Sequence, residues 1–414
     1  MITGTQAQTL ATVAVFGAIA TVLLIYFPPG ALLASTTATG GDMGAHVYAP
    51  WYMRHYLFPR GQVAGWSPGW FAGFPMFYFY FPLVASFQAI LSFVIPYAVA
   101  FKLGSALGTF FLPVAVYLLL RLLRLPFPTP QIGAVFGMSF LFMDSFTIFG
   151  GNIAGSMAGE YSYGLSLGLC LVFVGLVYRI LTGEGRPILA ALVLAAAVLS
   201  HLVPVIMVVA VLPVFWVLGV RTHGRRRTLG RLAVVFGVAF CLTGFWVIPF
   251  LARISYTTNM HWTQIEGLGN LFPREIWAYV LPAAAGALVA FLRRDRRALV
   301  IGFMLAFGAL AYFFTPPGHV WNGRFVPVWY LGLYCLAAYF LGAVVPSLFS
   351  LVWRRRARLI GVLTVAAVTV TVLGWILARR DDTFVDDWIR TNYAGYERQA
   401  DWPQLRELMS HVKD

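Results

Sequence analysis

Between Gly40 and Pro82 the chain reads GGDMGAHVYAPWYMRHYLFPRGQVAGWSPGWFAGFPMFYFYFP. The stretch follows a strongly apolar run, Ala11 to Phe27, yet is itself too polar and too rich in Gly and Pro to cross a membrane. Asp42 and His46 lie in it among Trp51, Trp66, Trp70 and a run of Tyr and Phe. A carboxylate and an imidazole at the mouth of a membrane helix cost desolvation energy unless they have a partner or a task. An apolar span thus delivers a structured polar loop to one membrane face, and the remaining apolar runs read as the scaffold that holds it there.

Composition agrees. With 60% hydrophobic residues, 11% charged residues and a mean hydropathy of +0.79, the chain has too little polar side chain to cover a soluble globule. The net charge of +14 does not point to nucleic acid, because the arginines fall in short clusters between apolar runs, a pattern set by membrane topology. Cys170, Cys241 and Cys335 lie inside apolar runs without metal-ligand spacing and read as packing residues. The N-terminus shows no basic region and no small-residue cleavage site, so the first apolar run reads as a retained span or signal anchor.

The hydropathy pattern predicts spans at about 10–27, 98–120, 130–147, 161–178, 187–203, 204–220, 232–252, 276–292, 298–315, 326–348 and 360–378, each near the roughly 20 residues a bilayer needs. Basic clusters punctuate them at Arg121/Arg124, Arg179/Arg186, Arg221 to Arg231, Arg293 to Arg297 and Arg354 to Arg358. Two spans separate consecutive clusters, so all fall on one face, which the positive-inside rule makes cytoplasmic. Asp42, Asp144, Glu160, Glu266 and Glu275 fall on the other face. The alternation requires residues 81–120 to cross once, with 84–96 forming a juxtamembrane or re-entrant helix. The expectation is an all-α polytopic helical membrane protein of about eleven transmembrane helices, N-terminus inside. Residues 1–378 form the transmembrane domain, in which 28–97 is a first extracytoplasmic loop with juxtamembrane helices. Residues 379–414 follow as an extracytoplasmic segment of short amphipathic pieces, packed on the outer face or beginning a truncated soluble region.

Several polar residues gather on the acidic side. Pro50 suits the first turn of an interfacial helix. The segment GWSPGWFAGFP carries Trp66 and Trp70, which either stack on a flat or sugar-like ligand or form an aromatic belt at the headgroups. In MDSFTIFGGNIAGSMAGEY, glycines flank Asn152 and let backbone approach a ligand, while Glu160 opens a helix and is favoured there by the helix dipole. His201, in LSHLVP, lies at the same end of the bundle, where lone histidines commonly bond a neighbouring helix. The segment TPPGHVWNGRFVPVWYL adds Asn322 and Arg324; an Arg on this face either binds an anion such as a phosphate or snorkels to lipid headgroups. A further loop contributes Arg253, His261, Glu266 and Arg274, whose roles spacing does not assign.

Taken together, GGDMGAH, the W-x-P-x-W-x-x-G-x-P pattern, SFTIFGGNIAGSMAGEY, LSHLVP and NGRFVPVWYL resemble the GT-C superfamily of integral-membrane glycosyltransferases. More closely, they resemble bacterial and archaeal membrane proteins labelled as related to 6-pyruvoyl-tetrahydropterin synthase, although nothing here is similar to a soluble pterin enzyme. A more distant resemblance is to the membrane half of actinobacterial arabinofuranosyltransferases. The resemblance implies transfer of a sugar from a polyprenyl-phosphate donor to an extracytoplasmic glycan or lipid acceptor, at the plasma membrane of a prokaryote. It makes Asp42 the general base or a metal-associated carboxylate and Glu160 the second acidic residue. His46, Trp66, Trp70, Asn152, His201, Asn322 and Arg324 become substrate-binding, with Arg324 on the donor phosphate. It leaves room for a divalent cation, Mg²⁺, Mn²⁺ or Ca²⁺, between Asp42 and Glu160, while GDMG lacks an adjacent pair of acids. Partners are the donor lipid, the acceptor and membrane lipids, with no nucleic acid. A lipid or glycan transporter or flippase, and a catalytically inactive scaffold, are the competing readings. The glycosyltransferase reading requires Asp42, His46, Glu160, His201 and Arg324 to converge on one cavity.

Overall fold

A computed structural model describes residues 4–259, 262–352 and 357–413. His261 and Arg354 to Arg356 fall outside them. The chain begins with α1 (Gly4–Tyr26), and the first loop then carries α2 (Met43–Tyr52), a hairpin of β1 (Gly65–Ser67) and β2 (Phe74–Met76), and α3 (Pro82–Leu91). The bundle continues with α4 (Tyr97–Leu122), α5 (Thr129–Leu141), α6 (Tyr161–Leu181), α7 (Pro187–Ser200), α8 (Leu202–His223) and α9 (Arg225–Ala252). It closes with α10 (Trp277–Leu292), α11 (Arg296–Phe314), α12 (Val326–Tyr339) and α13 (Ala357–Ala378), followed by α14 (Phe384–Ala394) and α15 (Trp402–Lys413).

Nine helices among the described residues are long and apolar enough to cross a membrane, and each matches an expected span. The other two expected spans, α5 and α7, have only 13 and 14 residues, a rise of about 20 Å. The two ends of α5 nevertheless lie beside opposite ends of the long helices α1 and α13. At the start of α5, Gln131 donates to Thr12 near the beginning of α1 (2.8 Å), and beyond its end Asp144 stands 3.5 Å from Arg379, just past α13. At one face Glu184 pairs with Arg124 and Arg179, Arg297 donates to the Arg124 carbonyl (3.1 Å), and Arg231 reaches the Ile180 carbonyl (2.5 Å). Four of the expected Arg clusters therefore interlock on one face. The centre of the bundle is α4 against α6, where a methyl group at Gly108 would stand 2.6 Å from the Leu165 amide. Small residues permit such close backbone approach where lipid supplies no hydrophobic drive.

Two local expectations change. The loop helix starts at Met43, and Pro50 sits well inside it. Lacking an N–H, Pro50 gives nothing to the His46 carbonyl, and the chain runs on as a π-turn over Met53–Leu57. The aromatic segment folds as a short antiparallel hairpin with Trp66 opposite Pro75, a strand element absent from the all-α expectation. The ten-residue α3 rises about 15 Å, too little to cross, so the chain crosses once between Phe81 and Leu122.

The segment after α13 folds back onto the first loop. Lys102, fully buried at the start of α4, directs its ammonium at four oxygens: the carbonyls of Ala31 (3.1 Å), Ala34 (3.0 Å) and Tyr393 (2.7 Å) and the Thr36 hydroxyl (2.8 Å). Asn392 donates to the Met157 carbonyl (2.8 Å) and accepts at its own carbonyl from Thr39 N–H (3.0 Å). The Glu397 carboxylate takes both the N–H (2.8 Å) and the hydroxyl (2.7 Å) of Thr37. Three ammonium donors thus join α14, α4 and residues 31–36. Lys102→Met strands buried acceptors at about 1–3 kcal/mol each, offset in part because a cation is no longer desolvated. We expect a net loss on the order of 2–3 kcal/mol, read as a lower melting temperature and rapid proteolysis within α14 and α15. A tail as protease-resistant as the parent's would show that Lys102 does not hold it.

Candidate active site

Two glycines bring the loops that carry Asp42 and Glu160 into contact. Gly41 has φ +50°, and a side chain there would meet the Ala158 carbonyl at 2.7 Å; the next residue, Asp42, donates its N–H to that same oxygen (2.9 Å). Ala158 lies in a π-turn, Ser156–Glu160, where Gly159 has φ +118°. A methyl group on Gly159 would stand 2.7 Å from Asp42 Cβ and 3.3 Å from His46 Cδ2. Positive φ and missing Cβ atoms are what allow this approach, and single π-turns recur at functional sites. Asp42 ends up exposed at the N-terminus of α2, with no hydrogen bond from its side chain capping the helix.

Arg324 closes the group from the opposite side. It stands on the turn Asn322–Phe325 that opens α12, and its guanidinium pairs with Glu160. The two side chains retain only 16% and 22% of their exposure, so this is not a solvated surface pair. Tyr163 donates to the Arg324 carbonyl (2.5 Å), fixing the backbone, and the guanidinium carbon lies 6.0 Å from the Tyr163 ring centre. Arg324 Nη1 is buried and has no hydrogen-bond partner among the described residues. A buried guanidinium donor left open is costly, and an anion is what would satisfy it.

His201 and Tyr80 adjoin this group. His201 Nδ1 accepts from Val203 N–H (3.2 Å), which places the ring proton on Nε2; its carbonyl accepts from Ser166 (2.7 Å). Ser166 is six residues into the bundle from Glu160, so His201 lies about 9 Å deeper, its ring on Phe81 (4.3 Å) and edge-on to Tyr163 (5.3 Å). Tyr80 Oη is 3.5 Å from His46 Nε2. Burial lowers the His46 pKa below its ordinary value, against the pull of Asp42 and Glu160, so the imidazole is neutral at neutral pH. Burial likewise holds the Tyr80 phenol well above its ordinary range, with Tyr161 and Glu160 adding to the shift and Arg324 opposing it. The structure thus brings together Asp42, His46, Glu160, His201 and Arg324.

Other expected site residues lie apart. The Asn152 amide donates to the Met143 (2.9 Å) and Phe146 (3.0 Å) carbonyls and accepts from Gly155 N–H (2.9 Å). The Asn322 amide donates to the Ile265 (2.8 Å) and Tyr312 (2.9 Å) carbonyls and accepts from Ile265 N–H (3.2 Å). Both are buried and spent on backbone, so they shape the loops that hold Glu160 and Arg324 and do not present an amide to a substrate. Trp66 and Trp70 belong to the hairpin, where Trp70 stacks on Tyr48 (5.8 Å, 29°). Asp144 pairs with Arg379 instead, beside Glu275. Neither Tyr80 nor Tyr163 stood out in the sequence, the first because it is one ring in a run of aromatics.

Asp42 and Glu160 do not form a dedicated all-protein cage for a divalent cation. Among the described residues no three His, Cys, Asp or Glu gather as metal ligands do, and Arg324 occupies the Glu160 carboxylate that would have to join Asp42. What remains is an open carboxylate, a partly open guanidinium, and a neutral imidazole beside a neutral phenol. That combination can accept a proton at Asp42 and hold an anion at Arg324.

A model of the family described as "6-pyruvoyl-tetrahydropterin synthase related domain; membrane protein" matches residues 77–380. The match includes Glu160, His201 and Arg324, and Asp42 and His46 precede it. No curated protein sequence matches the chain. The fold is similar to the oligosaccharyltransferase of Archaeoglobus fulgidus, with TM-score 0.58 and 14% identity over 97% of this chain and 59% of that one. It is also similar to ArnT from Cupriavidus metallidurans in the apo state, with TM-score 0.56 and 16% identity over 92% of this chain and 77% of ArnT. The ArnT structure bound to undecaprenyl phosphate gives TM-score 0.54 and 15% identity over 93% of this chain and 78% of ArnT. The chain therefore spans less than two thirds of the oligosaccharyltransferase, and at these identities the likeness establishes the GT-C fold.

Proposed function

From a chain that belongs to the 6-pyruvoyl-tetrahydropterin synthase related family of membrane proteins, we infer a membrane glycosyltransferase that moves a sugar from a polyprenyl-phosphate donor onto a glycan or lipid acceptor. The single observation that carries this reading is Arg324: a buried guanidinium held by Glu160, whose Nη1 has no hydrogen-bond partner among the described residues. A lipid phosphate reaches that depth with its chain in the bilayer and its charge at the interface. The ArnT structure with undecaprenyl phosphate supports a donor of this class. The interlocked arginines on the far face support, through the positive-inside rule, a site on the extracytoplasmic side of a prokaryotic plasma membrane.

In this mechanism the acceptor hydroxyl attacks the anomeric carbon, its proton passes to the Asp42 carboxylate, and the bond between that carbon and the phosphate oxygen breaks. The negative charge left on the polyprenyl phosphate is stabilised by Arg324. Glu160 keeps the guanidinium in register, and the neutral His46 and Tyr80 offer hydrogen bonds to the sugar without competing for the phosphate. The test uses the purified chain in nanodiscs with undecaprenyl phosphate as probe. Saturable binding competed by excess polyprenyl phosphate, but not by the uncharged polyprenol, is expected. Equal competition by the polyprenol would mean that only the hydrocarbon chain is recognised, and the reading would fall.

A further inference from the structure

The first loop folds into a concavity of about 620 Å³ that none of the residues around Arg324 lines. Its walls are Tyr48, Trp51, Tyr52, Tyr56 and Trp66, with Arg60 and Gln62 at the rim. The rings are fixed in place. Tyr52 and Tyr56 stack at 5.0 Å and 17°, the Tyr52 hydroxyl donates to the Trp66 carbonyl (2.7 Å), and the Tyr48 and Ser67 hydroxyls share a hydrogen bond (2.8 Å). Arg60 spends one guanidinium nitrogen on the Tyr56 carbonyl (2.7 Å), leaving its other donors at the rim. Trp66, held in this frame, is still 64% exposed. Large rings exposed around a concavity are a binding surface in waiting.

We propose that this bowl binds a saccharide chain, which on the glycosyltransferase reading is the acceptor. Sugar rings offer C–H bonds to the negative faces of Trp and Tyr while their hydroxyls need donors and acceptors at the edge, and the bowl supplies both. A belt of lipid-facing aromatics would have no use for a concave wall, a polar rim or phenols tied to a hairpin. The bowl is tied to the candidate active site by one helix, α2, which carries Asp42 at its start and Tyr48, Trp51 and Tyr52 further on. Asp42 to Trp51 is nine residues, or about 13–14 Å along the axis, the distance an oligosaccharide held in the bowl has to span to bring its end to Asp42.

The experiment measures binding of soluble pyranose and furanose hexasaccharides (maltohexaose, xylohexaose and arabinohexaose) to the full chain in nanodiscs, without donor lipid, by calorimetry. Saturable binding of at least one is expected, weakened about tenfold or more by Trp66→Ala, as loss of a single stacking anchor brings. Trp66→Phe should restore part of it. Phe71→Ala is the control, since Phe71 is 84% exposed on the same hairpin but does not line the bowl; it should bind as the parent does. Melting temperatures equal to the parent's exclude misfolding. Absence of saturable binding to all three chains, or equal losses in the Trp66 and Phe71 variants, overturns the proposal. Donor binding at Arg324 is read with undecaprenyl phosphate in a separate assay, so either site can fail while the other stands.

Discussion

Asp42→Asn is expected to bind undecaprenyl phosphate as tightly as the parent and to lose transfer by a factor of about 10² to 10⁴, the span of general-base contributions. The separation of binding from turnover follows from the structure. The Asp42 side chain is exposed and makes no cap bond, while its backbone N–H, which anchors the loop to Ala158, is untouched by the change. An amide of equal size therefore leaves the loop in place. Removing a negative charge from the start of α2 costs at most about 1 kcal/mol of stability, too little to account for such a loss. The readout is the rate of labelled sugar transfer from a polyprenyl-phosphate sugar beside lipid affinity in the same preparation. His46→Gln is the informative companion, since the neutral imidazole four residues on is the other group able to take a proton. If it loses more transfer than Asp42→Asn does, the base is His46 and Asp42 orients it.

What the sequence made legible follows from where charge can reside near a bilayer. Arg124, Arg179, Arg231 and Arg297 announce one face because each follows or precedes an apolar run, and in the structure they interlock there. Asp42, Glu160 and Arg324 stand out for the same reason, and their meeting was inferable from parity alone. Their pairing was not. That Arg324 lies on Glu160 depends on the π-turn and on Gly159, which no periodicity reveals. Asn152 and Asn322 show the opposite error. A polar residue in a glycine-rich loop serves equally as a ligand contact or as a backbone brace, and burial of both amides decides for the brace. Lys102 was hidden by its surroundings, although a lysine inside an apolar helix is itself a signal. Its partners are carbonyl oxygens, which leave no trace in a side-chain pattern. The shortness of α5 and α7 was likewise masked, because apolar loop residues extend both runs.

The second large effect belongs to Arg324. Arg324→Ala is expected to weaken binding of undecaprenyl phosphate by about 2–5 kcal/mol, or roughly thirtyfold to several thousandfold. The loop should survive the change, because Tyr163 holds the Arg324 carbonyl and Asn322 braces the turn through backbone partners, neither of which involves the guanidinium. Two contributions add. The phosphate loses the Nη1 donor, and the Glu160 carboxylate, stripped of its partner in a site with little solvent, now repels the anion. Arg324→Lys keeps the charge but not the fork that serves Glu160 and phosphate together, so its affinity should fall between those of the parent and Arg324→Ala. The double variant Arg324→Ala with Glu160→Gln separates the two contributions, since it removes the repulsion and not the lost donor. Affinity recovered in the double variant measures the uncompensated carboxylate, and the deficit that persists measures the guanidinium. Should Arg324→Ala alone bind the lipid as tightly as the parent, the pair with Glu160 serves only to pin α12 to α6, and the phosphate is held elsewhere.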